Sequence, residues 1–288
     1  MGVYRSSAPL TIDEPTVSLQ QLRMGEGPHV LLANGFLSQS LSGWDKWKRL
    51  VTERYPGQPV SRVRWEAQAL ESLKPLVAYW DTEGDPNKIL NEASRQLSKA
   101  AQQASRIAKH VSAEARKGIS LQDALRGAPR PDMPGAGILV EAPAKWLVAK
   151  QRASATGLAL ADAIAATEGQ TFSLLGFSLG GRVMATAARS LAERGITDKL
   201  VDVQLIGSAI NRSDSWQPMV DAVSEGVWNY YSKYDSVLNY LYRTAEVGGL
   251  AIGLVGMGLH GPKAFDVNVS DKVSGHTRYL ENISLEWP

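Results

Sequence analysis

The segment TFSLLGFSLGGRVMATAARSLAERG, residues 171–195, constrains the fold of this 288-residue chain more than any other. A strand-like run, Thr171–Leu175, leads into Gly176-Phe177-Ser178-Leu179-Gly180, and an Ala-rich helix former follows, ending at Gly195 where a C-cap is expected. As a bare pattern G-x-S-x-G carries little, since roughly one chain in five with these Gly and Ser contents would hold one by chance. Between a strand and a helix it describes a sharp turn that lifts a serine hydroxyl to the helix N-terminus, where amides favour developing negative charge. Gly176 and Gly180 are then required, because a Cβ two residues either side of the serine would collide with neighbouring backbone. Ser178 becomes the candidate nucleophile; an inert serine in a tight turn is the alternative.

The rest of the chain fits such a turn. Strand-like runs at Thr16–Leu22, His29–Ala33, Pro59–Trp65, Leu200–Ile206, Val227–Ser232 and Ala264–Val269 alternate with Ala-rich amphipathic segments, which predicts an α/β fold with a mostly parallel sheet. The Gly-rich link MGEGP between the first two runs suits an antiparallel hairpin at the sheet edge. From Asn87 to Thr167 strand signals nearly vanish. A helical insertion or cap over residues 87–150 is expected there, inside a single domain spanning 1–288, with crossover helices packed on the sheet as the alternative.

A serine hydroxyl needs a base, and the base needs an orienting acid; in this architecture they follow the nucleophile in the order acid, then histidine. The chain has four histidines and no cysteine, so a thiol nucleophile and thiolate metal sites are excluded and the base comes from a short list. Only His260 and His276 follow Ser178. His276, in a polar loop (DKVSGHTRYL) beyond the last strand-like run, is favoured; His29 and His110 read as structural or solvated. For the acid, Asp235 at the end of Val227–Ser232 is favoured over Asp214, and it can also cap the helical run that follows. The oxyanion donors expected are the backbone amides of Leu179 and of Phe36, with Leu37 next, in the turn Asn34-Gly35-Phe36-Leu37 after His29–Ala33.

Other features point to less. The 31 Lys+Arg are scattered against 29 Asp+Glu, for a formal charge of +2, so no nucleic-acid footprint is expected. Residues 256–261 match G-x-G-x-x-G, but Pro262 and the strand-like KAFDVNVS follow where a dinucleotide fold needs a helix. The apolar, Gly-rich stretch Ala245–Leu259 is short for a bilayer span and reads as pocket lining or core, with membrane-surface contact as the lesser reading. The N-terminal MGVYRSSAPLTIDEPT has acids, two prolines and no apolar run, so no secretory leader and a cytoplasmic location are expected. The N-x-S sequons at Asn211, Asn268 and Asn282 then read as chance matches.

With those residues in view, the chain resembles the family catalogued as domain of unknown function 726, the transmembrane and coiled-coil domain-containing type of α/β-hydrolase-like protein. The resemblance runs through LLGFSLGGRV, LIGSAI, YSKYDSVLNYLYR and VSGHTRYL, with NGFLSQS and Arg64–Glu66 matching early strands. It implies an α/β-hydrolase fold with Ser178, Asp235 and His276 at the triad positions. The expected activity is a serine hydrolase of carboxylic esters, of lipid or acyl type, needing no metal or organic cofactor and in passing contact with a membrane surface. Two alternatives stand beside it: a catalytically inactive binding or membrane-associating module, and a leaderless antibacterial lipase effector.

Overall fold

The computed structural model describes residues 17–35, 43–65, 136–246 and 248–286. Their strands are β1 (Ser18–Arg23), β2 (His29–Ala33), β3 (Val60–Arg64), β4 (Phe172–Phe177), β5 (Leu200–Ile206), β6 (Val223–Tyr231) and β7 (Ala264–Asn268). They form one seven-stranded sheet in the order β1-β3-β2-β4-β5-β6-β7, with every neighbouring pair parallel except β1 and β3. Helices α1 (Gly43–Arg54), α2 (Ala136–Ala166), α3 (Leu179–Glu193) and the short α4 (Gln217–Asp221) are the main connections. This is the α/β-hydrolase fold.

The central strands are apolar at successive positions, and successive side chains face opposite sides of a sheet, so both faces must be covered. On β4, Leu174 joins the layer under α2 and α3, whereas Leu175 joins the layer under α1 and the C-terminal segment. Ala-rich composition lets α2 and α3 approach closely. A Cβ on Gly157 would stand 2.5 Å from the Val183 carbonyl oxygen and 2.7 Å from Thr186 Cβ.

The hairpin expected between the first two strands does not form. β3 lies between them, pairing parallel with β2 and antiparallel with β1, in a register that sets Ser18 opposite Arg64. The cause is burial. Val30 to Ala33 are fully buried and suit an interior position with parallel neighbours, while β1 (SLQQLR) is polar at four of six positions and belongs at the edge. Its Gly-rich link serves instead as a packing surface: Glu26 N–H donates to the Gly57 carbonyl at 3.1 Å, and a Cβ on Gly25 would overlap that same oxygen.

Most of the expected helical insertion, residues 87–135, lies outside the described residues, as does His110. Its remainder opens α2, which runs unbroken for 31 residues from Ala136, includes Gly137, and packs along α3 as a crossover into β4. Within the apolar stretch Ala245–Leu259, Ala251, Ile252, Leu254 and Met257 are buried core while Gly248 and Leu250 are exposed, and Arg212 N–H donates to the Leu250 carbonyl at 2.8 Å as Ile252 N–H donates to the Ile210 carbonyl at 2.9 Å, tying the stretch to the loop after β5. Among the described residues no helix is long and apolar enough to cross a membrane.

Candidate active site

At the end of β4 the chain turns through Ser178 into α3. Ser178 has φ 56° and ψ −122°, and it is the only non-glycine with positive φ among the described residues. Such a conformation costs of order 1–3 kcal/mol and persists only where surrounding structure enforces it. The enforcing contacts are visible. Ser178 N–H donates to the Ile206 carbonyl at 2.9 Å, and the Ser178 carbonyl accepts from Gly181 N–H and Ala209 N–H, each at 3.1 Å. The flanking glycines leave no room for a Cβ: on Gly176 it would stand 2.5 Å from the Gly180 carbonyl oxygen, and on Gly180 it would overlap the Ala33 carbonyl. Gly181 is as constrained, against the Ser208 hydroxyl, although its place in the pentapeptide rule is silent about it.

The elbow brings together three side chains distant in sequence. His276 Nε2 lies 2.8 Å from Ser178 Oγ, and His276 Nδ1 lies 2.7 Å from Asp235 Oδ2. Asp235 Oδ1 accepts the Leu238 N–H at 3.0 Å, so the carboxylate caps the turn behind it while its other oxygen faces the imidazole. With the carboxylate accepting from Nδ1–H, Nε2 is left as the acceptor for the serine hydroxyl proton. Ser178 and His276 are each 1% exposed and Asp235 is 0% exposed. The Phe177 ring packs against the imidazole at 5.1 Å between centroids.

The rival residues are engaged elsewhere. Asp214 pairs with Arg189 at 3.1 Å, His260 is exposed, and His29 Nε2 lies 2.9 Å from Ser61 Oγ at the start of β2, the end of the strand away from the elbow. The G-x-G motif receives an internal carboxylate in place of a phosphate: Met257 N–H and Gly258 N–H each donate to Asp266 at 2.8 Å. Two sequons close their own turns, with Ser213 and Ser270 both donating to the Asn side chain two residues earlier. Among the described residues no group of three or more His, Asp or Glu could hold a metal ion.

For the oxyanion, Leu179 is the first residue of α3, and a first-turn amide has no acceptor within its own helix. Phe36 and Leu37 lie outside the described residues. The residue before them, Gly35, abuts the nucleophile: a Cβ there would stand 2.7 Å from Ser178 Cβ.

Sequence reasoning missed two supporting residues. Arg182, one turn beyond the serine, donates from Nη2 to the Ala209 carbonyl at 3.0 Å and so braces the loop that holds Ser178. Tyr279 is fully buried three residues after His276; its hydroxyl donates to the Gly253 carbonyl and accepts from Ser232 N–H, both at 3.0 Å. Burial, and after it the nearby Asp235 carboxylate, pushes the phenol well above the usual tyrosine range, so it stays a neutral donor. The only sequence hint was an aromatic residue close behind the histidine. Tyr279→Phe is expected to lower the unfolding free energy by about 1 kcal/mol in urea denaturation, because Ser232 N–H keeps its second acceptor at Gly253.

The family model described as "Protein of unknown function (DUF726)" matches residues 138–285, about half of the chain. An uncharacterized membrane protein of Schizosaccharomyces pombe is 32% identical over 153 residues, 52% of this chain and 19% of that one. The transmembrane and coiled-coil domain-containing protein STS1 of Oryza sativa is 30% identical over 141 residues, 47% of this chain and 21% of its own. The probable lipase MIL1 of Saccharomyces cerevisiae is 28% identical over 141 residues, 48% of this chain and 13% of its own. The matched stretch thus spans about a fifth or less of the length of these relatives. Among solved structures, mouse alpha/beta hydrolase domain-containing protein 10 aligns with a TM-score of 0.39 and 11% identity, covering 92% of this chain and 88% of that one.

Proposed function

Because the chain belongs to the DUF726 family, whose description assigns no activity, we propose its function from the site itself: a serine hydrolase that cleaves carboxylic esters of lipid or acyl type. The observation that carries this reading is the continuous bond chain from Ser178 Oγ through His276 to Asp235, 2.8 and 2.7 Å, ending on a serine held at φ 56°. A buried chain of this order, acid to imidazole to hydroxyl, supports activation of the hydroxyl.

In the proposed cycle Ser178 Oγ attacks the ester carbonyl carbon while its proton passes to His276 Nε2. Asp235 holds the imidazole tautomer and stabilises the imidazolium. The carbonyl oxygen, now an anion, is received by the Leu179 amide together with a second amide from the loop after β2, for which Phe36 is the residue proposed from the sequence. As the tetrahedral adduct collapses, the carbon–oxygen bond to the alcohol breaks and His276 returns the proton to the departing oxygen. Water then enters, gives a proton to His276 and attacks the acyl-enzyme carbonyl. Collapse of this second adduct releases the acid, with the proton going back to Ser178.

Two observations support the lipid class. One relative is named a probable lipase and others are named membrane proteins. In addition, Ser178 and His276 are each 1% exposed, so the reacting carbonyl meets Oγ largely out of water, a setting that suits an apolar acyl chain. The test is a fluorophosphonate probe on folded wild type and on Ser178→Ala, run beside hydrolysis of p-nitrophenyl esters of increasing acyl length with and without phosphatidylcholine vesicles. Covalent labelling of wild type alone, and long-chain rates that rise severalfold with vesicles, are expected. Absence of labelling sinks the enzyme reading in favour of a binding module. Rates indifferent to vesicles and acyl length reassign the substrate to soluble esters.

A further inference from the structure

We infer that Asn34 is a positioning residue for the oxyanion site, clamped by the indoles of Trp47 and Trp65 from opposite faces of the sheet. The inference rests on the serine hydrolase reading and specifies what steadies the elbow that carries the Leu179 amide. Asn34 follows β2 directly and is 2% exposed. Its side-chain Oδ1 accepts a hydrogen bond from Trp47 Nε1–H of α1, and its main-chain carbonyl accepts from Trp65 Nε1–H at 2.8 Å, where β3 ends. Trp47 belongs to the core layer with Leu50 and Tyr55; Trp65 belongs to the other layer, with Val183 and Trp146. Two donors anchored in separate cores therefore converge on one residue.

The consequence follows from peptide geometry. A trans peptide is planar, with its C=O and N–H pointing opposite ways, so fixing the Asn34 carbonyl on Trp65 also fixes the direction of Gly35 N–H. The same stretch is pressed against the nucleophile. A Cβ on Gly180 would lie 2.8 Å from the Asn34 carbonyl oxygen, and one on Gly35 would lie 2.7 Å from Ser178 Cβ. Asn34 and Gly35 thus stand close against the elbow, with the indoles fixing Asn34 on both sides. An oxyanion donor works only when aimed at the place where charge develops, and a displacement near 1 Å costs on the order of 100-fold.

The experiment compares Trp65→Phe and Trp47→Phe with wild type, reading kcat, KM, melting temperature and the inhibition constant of an alkyl boronic acid, whose serine adduct carries a tetrahedral anion. Each variant is expected to lose roughly 10- to 100-fold in kcat and a similar factor in boronate affinity, with KM changed less than about threefold. Should either variant fail to fold, benzothienylalanine at that position keeps the ring shape and removes only the N–H donor, and the same losses are expected. Folded variants that keep wild-type kcat and boronate affinity, with only a lower melting temperature, overturn the inference while leaving the hydrolase reading intact. A wild type that neither reacts with fluorophosphonate nor binds the boronate overturns both.

Discussion

Ser178→Ala is expected to reduce ester turnover by about 100,000- to 1,000,000-fold and to abolish fluorophosphonate labelling, because Ser178 Oγ is the hydroxyl at the end of the His276–Asp235 chain. The measurement is single-turnover hydrolysis with intact-mass detection of the acyl-enzyme. A second substitution at the same position separates chemistry from strain. Ser178→Gly loses the same activity, yet it is expected to be more stable than Ser178→Ala by about 1 kcal/mol in chemical denaturation. At most positions glycine is the less stable of the two, since it releases more entropy on unfolding. Here a Cβ of any kind sits at φ 56°, and only glycine relieves it. Alanine proving the more stable variant would show that the elbow is not held in that conformation.

Asp235→Asn is expected to lower kcat by about 1,000- to 10,000-fold with little loss of stability. The reason lies in the double duty of the carboxylate. Leu238 N–H must find an acceptor, so the asparagine carbonyl takes over the cap at Oδ1 and its NH2 faces His276 Nδ1. That nitrogen then accepts, the ring proton moves to Nε2, and Nε2 can no longer receive the serine proton. Asp214→Asn is the control: its carboxylate pairs with Arg189 on a partly exposed surface, and activity within about twofold of wild type is expected. A residual activity of Asp235→Asn within tenfold of wild type would mean that the imidazole is oriented by something else. Steady-state rates between pH 6 and 9 decide the matter.

Much of the fold was legible because its signals are local. The strand-like runs His29–Ala33 and Leu200–Ile206 coincide with β2 and β5, and the runs before and after the elbow form β4 and α3. The dual role foreseen for Asp235, facing a histidine and capping a turn, has its geometric counterpart in two bonds from two oxygens. The hairpin failed because MGEGP, a good turn sequence, says nothing about which strand lies beside which. The relevant signal was the contrast between HVLLA, apolar from Val30 on, and SLQQLR, polar at four of six positions, one an interior strand and the other an edge. Arg182, Tyr279, Trp47 and Trp65 were illegible for a related reason. Each looks like an ordinary helix or core residue, and its partner lies far along the chain: Tyr279 meets Ser232 47 residues away, and Trp65 meets Asn34 31 residues away.

What the sequence determined by itself was therefore the kind of each element and the shape of the turn at Ser178, since sterics within a pentapeptide and periodicity within a strand or helix act over a few residues. Chain order and a count of four histidines narrowed the partners of that serine without saying that they meet. Only the tertiary structure decided that they do: the parallel sheet carries β4, β5 and β6 side by side, so loops 98 and 41 residues apart along the chain end within hydrogen-bond reach of one another. The same packing aims two indoles from separate cores at Asn34 and leaves the nucleophile enclosed. Hydrogen bonds and close packing act over 3 to 4 Å and are blind to sequence distance, which is why position along the chain named the candidates and the fold alone joined them.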